Sequence, residues 1–513
     1  MVKVFVDGVE CEVDEKKNLI DALAGAGVEI PHFCYHPKLP VVGMCRICLI
    51  EVEGVPKFQA ACNTPVKEGM KINAFGEKVV KAREGVMEFL LINHPLDCPV
   101  CDKAGECRLQ NYSFSIGGPT TRFEETKRNV PQEKIGTNLL INHNRCILCY
   151  RCVRFDRDIV GVNDLEMLAR GNDTIIAYTP PETSGVKSEF LNHNYQGALA
   201  DICPVGALLN ENTLFQSRVW WYESSESICH GCSSLCKITT NVKNQEIYRY
   251  MPRSAPESDG HFICDYGRFS SRDFTQNRLS NFTHKGTKIK SHDALEKIAE
   301  KFNAAKKIVI LGGASESCAD IDEIMQLKDQ LQTAGKSVAW DFRAHDEAYA
   351  HKAGESYDFL LSKDLRPNAA YARTKSLTAF TNTSERDAAL QAADLIIVLN
   401  EFSAPFAYRE MENTSHVKDL KIASQIEATA LYQLMEQAGF LEKTINFTTH
   451  NNKAVAHAFI SVPIQTFVEK AGTYIDYKGV QKTSNRIFAP IQGLFSAAEW
   501  LRKQSNPITL AGA

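Results

Sequence analysis

The sequence predicts a multidomain chain, α+β in its first half and α/β in its second. Three observations carry this expectation. A length of 513 residues exceeds the roughly 250–300 residues that one hydrophobic core organises. Sixteen of the 17 cysteines lie in the first 264 residues, in short-spaced groups among brief strands and helices. From about residue 285 the texture changes to helices alternating with apolar strands, which argues for layered α/β structure.

The elements follow in order. Val2, Val4 and Val6 alternate, Asp7-Gly8 turns the chain, and Val9, Cys11 and Val13 alternate again, a β-hairpin in which Cys11 is read as a buried strand cysteine. A short helix is expected over Leu19 to Ala26. Residues 77 to 94 read as a second helix, with Val80, Met87, Leu91 and His94 on its apolar stripe and Pro95 as its stop. Residues 115 to 140, with Gly117-Gly118-Pro119, read as surface loop. Residues 220 to 270 form a compact cysteine-rich stretch. Beyond it come a helix over Asp293 to Ala305, a strand over Lys307 to Leu311, the Gly312-Gly313 turn, another helix, and a strand over Ala393 to Leu399.

Composition excludes some classes. With 58 basic against 62 acidic residues the net charge is -4, which gives no hint of nucleic acid or an anionic membrane as partner. No apolar run reaches the 18 or so residues of a membrane span, since the best stretches, Ile308 to Leu311 and Leu395 to Leu399, are strand-length. MVKVFVDGVE lacks the basic and apolar regions of a signal peptide, so a cytoplasmic chain is expected. In a reducing compartment clustered cysteines point to metal rather than to disulfides.

Four ligand groups emerge. The first is Cys34-x10-Cys45-x2-Cys48-x13-Cys62. It is related to the plant-type ferredoxin pattern that holds a 2Fe–2S cluster, with a longer first gap, and structural zinc is the alternative. Gly43 is small enough to let backbone N–H groups approach the sulfurs. The second is His94-x3-Cys98-x2-Cys101-x5-Cys107; its spacing suits a Cys3His zinc site and a 4Fe–4S cluster equally. The third is Cys146-x2-Cys149-x2-Cys152 with the remote Cys203-Pro204, the pattern that wraps a 4Fe–4S cluster and that zinc seldom uses. Arg145, Arg151, Arg154 and Arg157 stand nearby, either offsetting cluster charge or forming a solvated helix face. The fourth is Cys229-x2-Cys232-x3-Cys236-x27-Cys264, again three close ligands and one remote, with a zinc site as the alternative. These four groups use fifteen cysteines and one histidine, leaving only Cys11 and Cys318.

Order and local wording now resemble one family. The stretches CYHPKLPVVGMCRIC (34–48), HPLDCPVCDKAGECRLQ (94–110), NRCILCYRCVRF (144–155) and DICPVGAL (201–208) resemble the large iron–sulfur subunit of respiratory complex I. In bacteria that enzyme is NADH–quinone oxidoreductase, and in mitochondria the corresponding chain is the 75 kDa subunit. The likeness runs almost unbroken from residue 1 to about 220. It implies a β-grasp 2Fe–2S ferredoxin-type domain (1–78) whose cluster is held by Cys34, Cys45, Cys48 and Cys62. It implies a small helical domain (79–118) with a 4Fe–4S cluster on His94, Cys98, Cys101 and Cys107, and a ferredoxin-like region (119–221) with a 4Fe–4S cluster on Cys146, Cys149, Cys152 and Cys203. The stretch 222–280, with Cys229, Cys232, Cys236 and Cys264, resembles a third 4Fe–4S domain shared with molybdopterin oxidoreductases.

Residues 281–513 resemble a shortened molybdopterin-oxidoreductase domain. Ala393 to Val398 look like a family strand. Gly472-Thr473-Tyr474-Ile475-Asp476 and Gly479-Val480-Gln481 look like a family segment in which Asn is usual where Asp476 stands. The shortness departs from catalytic members, so neither pterin nor molybdenum is expected.

The function so implied is electron transfer within proton-pumping NADH:quinone oxidoreductase, from an FMN- and NADH-binding subunit, alongside a 2Fe–2S subunit, toward quinone-proximal iron–sulfur subunits. The chain would sit on the cytoplasmic face of the bacterial inner membrane, held by those partners. No catalytic residue is assigned: Gly25-Ala26-Gly27 is a fragment of G-x-G-x-x-G without a convincing dinucleotide unit. A self-contained hydrogenase would need four further cysteines, a formate dehydrogenase a metal ligand that the setting of Cys318 does not resemble, and membership of an NAD-linked formate dehydrogenase or hydrogenase is the alternative. A zinc-stapled binding protein is a third possibility, separable by metal analysis.

Overall fold

The computed structural model describes residues 1–179, 191, 193–253, 261–269, 271–275, 277–342, 360, 366–400 and 432–505. The chain divides into two units, Met1–Tyr222 and Glu223–Ala513. Among the described residues no helix is long and apolar enough to cross a membrane.

In the first unit the expected hairpin forms from β1 (Val2–Val6) and β2 (Val9–Val13), with Asp7 and Gly8 both at positive φ, as a tight two-residue hairpin turn requires. Helix α1 (Leu19–Gly25) starts where the Asn18 side chain accepts from the Asp21 N–H. Gly25 ends this helix, and Gly25-Ala26-Gly27 is a helix terminus rather than a nucleotide loop. Strands β3 (Leu49–Val52), β4 (Gln59–Ala60) and β5 (Lys71–Asn73) complete a mixed sheet in the order β2-β1-β5-β3-β4, with β1 parallel to β5 and the other pairs antiparallel. Leu19, Ile20 and Leu23 pack with Val4, Val6, Val13 and Ile72, and Cys48 and Cys62 join that core. Cys11 is half-buried rather than buried, because β2 is an edge strand and its Val9 end lies open.

Helix α2 (Glu77–Leu91) buries Val79, Arg83 and Met87; Met87 is on the expected stripe, whereas Val80 lies on the open side and Val79 and Arg83 take its place. The Arg83 guanidinium fixes that face by donating to the Leu49 carbonyl at 2.7 Å. The helix stops three residues before His94, in keeping with the exclusion of helical geometry from the residue preceding a proline. Beyond helix α3 (Arg108–Ser115), residues 117–132 carry no regular structure and are largely exposed. Strands β6 (Glu133–Lys134) and β7 (Leu139–Ile141), helix α4 (Arg151–Phe155), the hairpin of β8 (Leu165–Leu168) and β9 (Ile175–Tyr178), helix α5 (Gln196–Ile202) and strand β10 (Leu208–Asn210) follow.

The second unit opens with an antiparallel meander of β11 (Glu223–Ile228), β12 (Lys237–Lys243) and β13 (Glu246–Pro252), then helix α6 (Asp265–Phe269). Strands β14 (Thr283–His284) and β15 (Thr287–Lys288), helix α7 (Ser291–Ala304), β16 (Lys307–Gly312), helix α8 (Cys318–Thr333), β17 (Ser337–Asp341), β18 (Leu395–Leu399), β19 (Thr444–Thr448) and β20 (Ile460–Pro463) build one sheet in the order β15-β14-β20-β19-β18-β16-β17. Five of its strands run parallel, in the sequence β17-β16-β18-β19-β20. The α/β expectation for this region therefore holds, and the strand order reverses between β16 and β18, a doubly wound order. A hairpin of β21 (Gly472–Ile475) and β22 (Gln481–Ser484) closes the unit beside the cysteine-rich stretch, with Tyr477 N–H bonded to Ser233 O at 2.9 Å.

Candidate metal centres

The first group is assembled by three separate pieces of chain. Cys34 leads into a loop after the core residue Phe33, Cys45 and Cys48 flank a turn in which Arg46 adopts positive φ, and Cys62 lies in a short 3-10 turn whose Ala61 N–H bonds Cys48 O at 3.0 Å. The Cys34 N–H donates to Cys45 Sγ at 3.4 Å. A hydrogen bond from Cys45 holds the Cys34 thiol down toward thiolate and one from Cys62 does the same for Cys48, while Cys45 and Cys62 are pushed up. Gly43 serves its positive φ rather than close approach, since an added Cβ there meets nothing within 4 Å.

The third group is drawn from one tight loop and the end of a helix. Leu148 and Tyr150 take positive φ, which lets Cys146, Cys149 and Cys152 follow one curve, and Leu148 N–H donates to Cys146 Sγ at 3.4 Å. Cys203 arrives from the end of α5. Burial, then the neighbouring sulfurs, push Cys146 up to about 12 and Cys149 up to about 11, with Cys152 raised further. Three neighbouring thiols, Cys146, Cys149 and Cys152, that resist ionising together are a set completed by a multiply charged cation.

The fourth group likewise closes on itself. Cys229, Cys232, Cys236 and Cys264 are all buried, Gly231 N–H donates to Cys229 Sγ at 3.4 Å, and Cys229 N–H bonds Cys236 O at 2.8 Å. Burial first and Cys232 second push Cys229 up to about 12. A Cβ on Gly267 would lie 2.2 Å from Cys229 Sγ, so only glycine admits this sulfur.

The second group is the least assembled. Cys101 and Cys107 are buried near one another, whereas Cys98 is exposed, and no contact among the described residues sets His94 beside any of the three thiols. The His94 Nδ1 is buried all the same and has no hydrogen-bond partner. Burial, with Arg145 and Lys127 nearby, pushes the imidazole down to about 4, so it is neutral at pH 7, the form that can ligate. A Cβ on Gly206 would lie 2.3 Å from Cys101 Sγ, so the Cys203-Pro204-Val205-Gly206 turn of the third group shapes the second.

Among the described residues no three His, Cys, Asp or Glu side chains converge closely enough to hold a single metal ion. Soft thiolate donors in groups of three or four fit iron–sulfur clusters, as does the orphaned imidazole nitrogen of His94. Both glycines that admit a sulfur stand three residues after the remote cysteine of their group, Cys203 to Gly206 and Cys264 to Gly267, a sequence signal that the cysteine spacing alone passes over.

The nearby arginines divide sharply. Arg145, Arg151 and Arg154 are buried, so the solvated-face alternative fails for these three; Arg157 is exposed and pairs with Asp158 at 2.7 Å. Arg145, beside Cys146, is ion-paired at 2.9 Å with Asp97, beside Cys98. Arg108, beside Cys107, donates its main-chain N–H to Pro204 O at 3.1 Å and its guanidinium to His32 Nε2 at 2.7 Å. The loops of the first three groups are thus bonded directly to one another.

The doubly wound sheet has its own place for a ligand, at the carboxyl ends of β16 and β18. Among the described residues the backbone there is closely packed. Trp340 Nε1 donates to Gly312 O at 2.9 Å, and a Cβ on Gly313 would meet Leu399 and Trp340 at 3.1 and 3.3 Å. At the start of α8, Ser317 and Asp320 form a capping box, and the buried Lys470 ammonium bonds Glu316 at 2.5 Å and Asp320 at 2.8 Å. An anionic group at this helix start would meet two carboxylates, so the residues present do not fit a phosphate-bearing cofactor. Cys318 lies half-buried beside Asn368.

Comparison with known proteins fits these groups. Residues 1–75 match the 2Fe-2S iron-sulfur cluster binding domain, residues 83–122 the NADH-ubiquinone oxidoreductase-G iron-sulfur binding region, and residues 136–209 the NADH-quinone oxidoreductase subunit 3 ferredoxin-like domain. The chain is 39% identical over 344 residues to the NADH-ubiquinone oxidoreductase 75 kDa subunit of Reclinomonas americana, covering 66% of this chain and 48% of that one. It is 38% identical over 343 residues to the corresponding NADH-quinone oxidoreductase chain of Rickettsia conorii, covering 66% and 50%. The chain therefore spans about half the length of the curated relatives it matches. Among solved structures, a chain of an NAD+-reducing [NiFe]-hydrogenase shares 28% identity over 42% of this chain and 91% of its own, with a TM-score of 0.38.

Proposed function

Because residues 1–209 carry the iron–sulfur modules of the 75 kDa family of NADH–quinone oxidoreductase subunits, we propose that this chain is the electron-relaying iron–sulfur subunit of such an oxidoreductase. One observation carries the reading: each of the three matched stretches brackets one complete ligand group. In this reading Cys34, Cys45, Cys48 and Cys62 hold a 2Fe–2S cluster. His94, Cys98, Cys101 and Cys107 hold one 4Fe–4S cluster, Cys146, Cys149, Cys152 and Cys203 a second, and Cys229, Cys232, Cys236 and Cys264 a third. The clusters, when bound, supply one-electron chemistry. The chain's own residues bury most of the sulfurs, aim N–H groups at Cys45, Cys146 and Cys229, and keep His94 neutral. Electrons arrive from an NADH- and FMN-binding subunit and leave toward quinone through further iron–sulfur subunits, with the chain peripheral to the membrane on its cytoplasmic side.

The domain division proposed is 1–78, 79–118, 119–221, 222–280 and 281–513. The last of these is read as a reduced, non-catalytic relative of molybdopterin oxidoreductases, and what supports this is the close packing of Trp340 on Gly312 and the Lys470 ion cluster. Anaerobic purification with iron, sulfide and zinc analysis tests the whole reading. The expected result is about 14 iron per chain with matching sulfide and separate 2Fe–2S and 4Fe–4S electron paramagnetic resonance signals. Zinc without sulfide, or substantial hydrogen or formate oxidation by the purified chain, overturns it.

A further inference from the structure

We propose that Arg151 and Arg154 form a cationic clamp that holds the first ligand group against the third and raises the reduction potential of both clusters. This rests on the iron–sulfur reading above. Both side chains rise from the short helix α4, which begins between Cys149 and Cys152. Arg151 grips two loops at once: Nη1 donates to Ile202 O at 3.2 Å, immediately before Cys203, and Nη2 donates to Tyr35 O, immediately after Cys34. Arg154 donates through Nη2 to Cys34 O itself, through Nη1 to Pro40 O, and through Nε to Tyr150 O at 3.1 Å. One helical turn therefore carries main-chain bonds to ligand loops of both groups.

The charge argument is independent of the hydrogen bonds. Arg151 and Arg154 are 5% and 2% exposed, and no carboxylate forms an ion pair with either among the described residues. A buried guanidinium without a paired anion is costly, and carbonyl oxygens alone compensate only part of that cost. The anions acting most on Arg151 are the sulfurs of Cys149 and Cys203, and those acting most on Arg154 are the sulfurs of Cys34 and Cys149. Asp158 also acts on Arg154, but its carboxylate is taken by Arg157. Two buried cations thus make sense when those sulfurs are permanently thiolate, as cluster ligation makes them. Each cluster gains one negative charge on reduction. Fixed positive charge between the two sites stabilises that state at both and lessens the mutual repulsion when both are reduced.

The test uses the full chain with its clusters, titrated electrochemically while the 2Fe–2S and 4Fe–4S resonance signals are followed. Arg151→Leu and Arg154→Leu are expected to lower the potentials of both the first and third sites. Arg157→Leu, which removes an exposed and already paired charge, is expected to move neither. Arg151→Lys keeps a charge but cannot reach both carbonyls; it should hold the potentials near the parental values while weakening the magnetic interaction between the two reduced clusters. Parental signals present with potentials unmoved in both leucine variants, or moved at one site only, overturn the clamp. So does a lysine variant whose potentials fall as far as those of leucine. A parental chain with no cluster signals defeats the relay reading itself, a result distinct from these.

Discussion

The third and fourth cysteine groups have nearly the same spacing and quite different surroundings. Each takes three close ligands and one remote, and all but Cys146 are buried. Around the third stand Arg151 and Arg154, with which no carboxylate pairs among the described residues. Around the fourth, Arg268 bonds Tyr250 O at 2.9 Å and lies 3.8 Å from the Asp265 carboxylate. Beside it lie Tyr250, Tyr266, a buried His230 stacked on Phe467 at 3.7 Å and pushed down to about 3 by burial, and Lys482, which donates to Ser234 O at 2.8 Å and is paired with Asp476 at 3.1 Å. The contrast shows that ligand spacing reports which atoms bind, while the net charge packed around them reports how readily the site takes an electron.

The largest expected effect comes from removing the remote ligands. Cys264→Ser should cost one 4Fe–4S cluster by iron and sulfide analysis and leave the other signals intact. Cys203→Ser should cost the third cluster and also disturb the second, because the same turn carries Pro204, bonded to Arg108, and Gly206, against Cys101. If the two variants lose equal iron and perturb no neighbour, the bonded-loop account of the first unit fails.

Next in size is Lys470→Met. It leaves Glu316 and Asp320 buried without their cation, and removing one partner of such a cluster costs about 3–5 kcal/mol. Burial depresses the ammonium, yet the two carboxylates outweigh it and raise the Lys470 pKa. Its contribution is then complete below the ordinary lysine pKa and lost only as pH rises past the folded value, so the effect should be flat across neutral pH. Differential scanning calorimetry checks it. A smaller and local loss is expected for Gly267→Ala, where the new methyl must displace Cys229 Sγ. Overpacking of this kind costs about 1–3 kcal/mol, read as weakened retention of the fourth cluster under chelator challenge.

Much of this is legible in the residues alone. The hairpin and the α/β texture of the second half follow from residue type and spacing. What escapes the sequence depends on three-dimensional neighbours. The stripe on α2 falls on Val79, Arg83 and Met87 because Arg83 hydrogen-bonds Leu49 O, 34 residues away. Periodicity ranks an arginine as polar and places it outward. Likewise Arg151 and Arg157 look alike in the sequence and differ because only one finds carbonyls at Tyr35 and Ile202. Spacing selects His94 by its neighbours along the chain, yet in the structure its Nδ1 is buried without a hydrogen-bond partner and burial favours the neutral ring.

The smallest expected effect is the sharpest test of the contrast between the two groups. Arg268 is near enough to Cys229 to bias its thiol, but the Asp265 carboxylate already offsets part of its charge. Arg268→Gln should therefore lower the potential of the fourth cluster, and by less than Arg151→Leu lowers that of the third. In the parental chain the same reasoning sets the fourth cluster at a lower potential than the third, since less uncompensated positive charge surrounds it. A redox titration followed by electron paramagnetic resonance measures both. A fourth cluster reduced at the higher potential would mean that hydrogen bonds to the sulfurs, led by Gly231 N–H to Cys229, outweigh buried charge in tuning these sites.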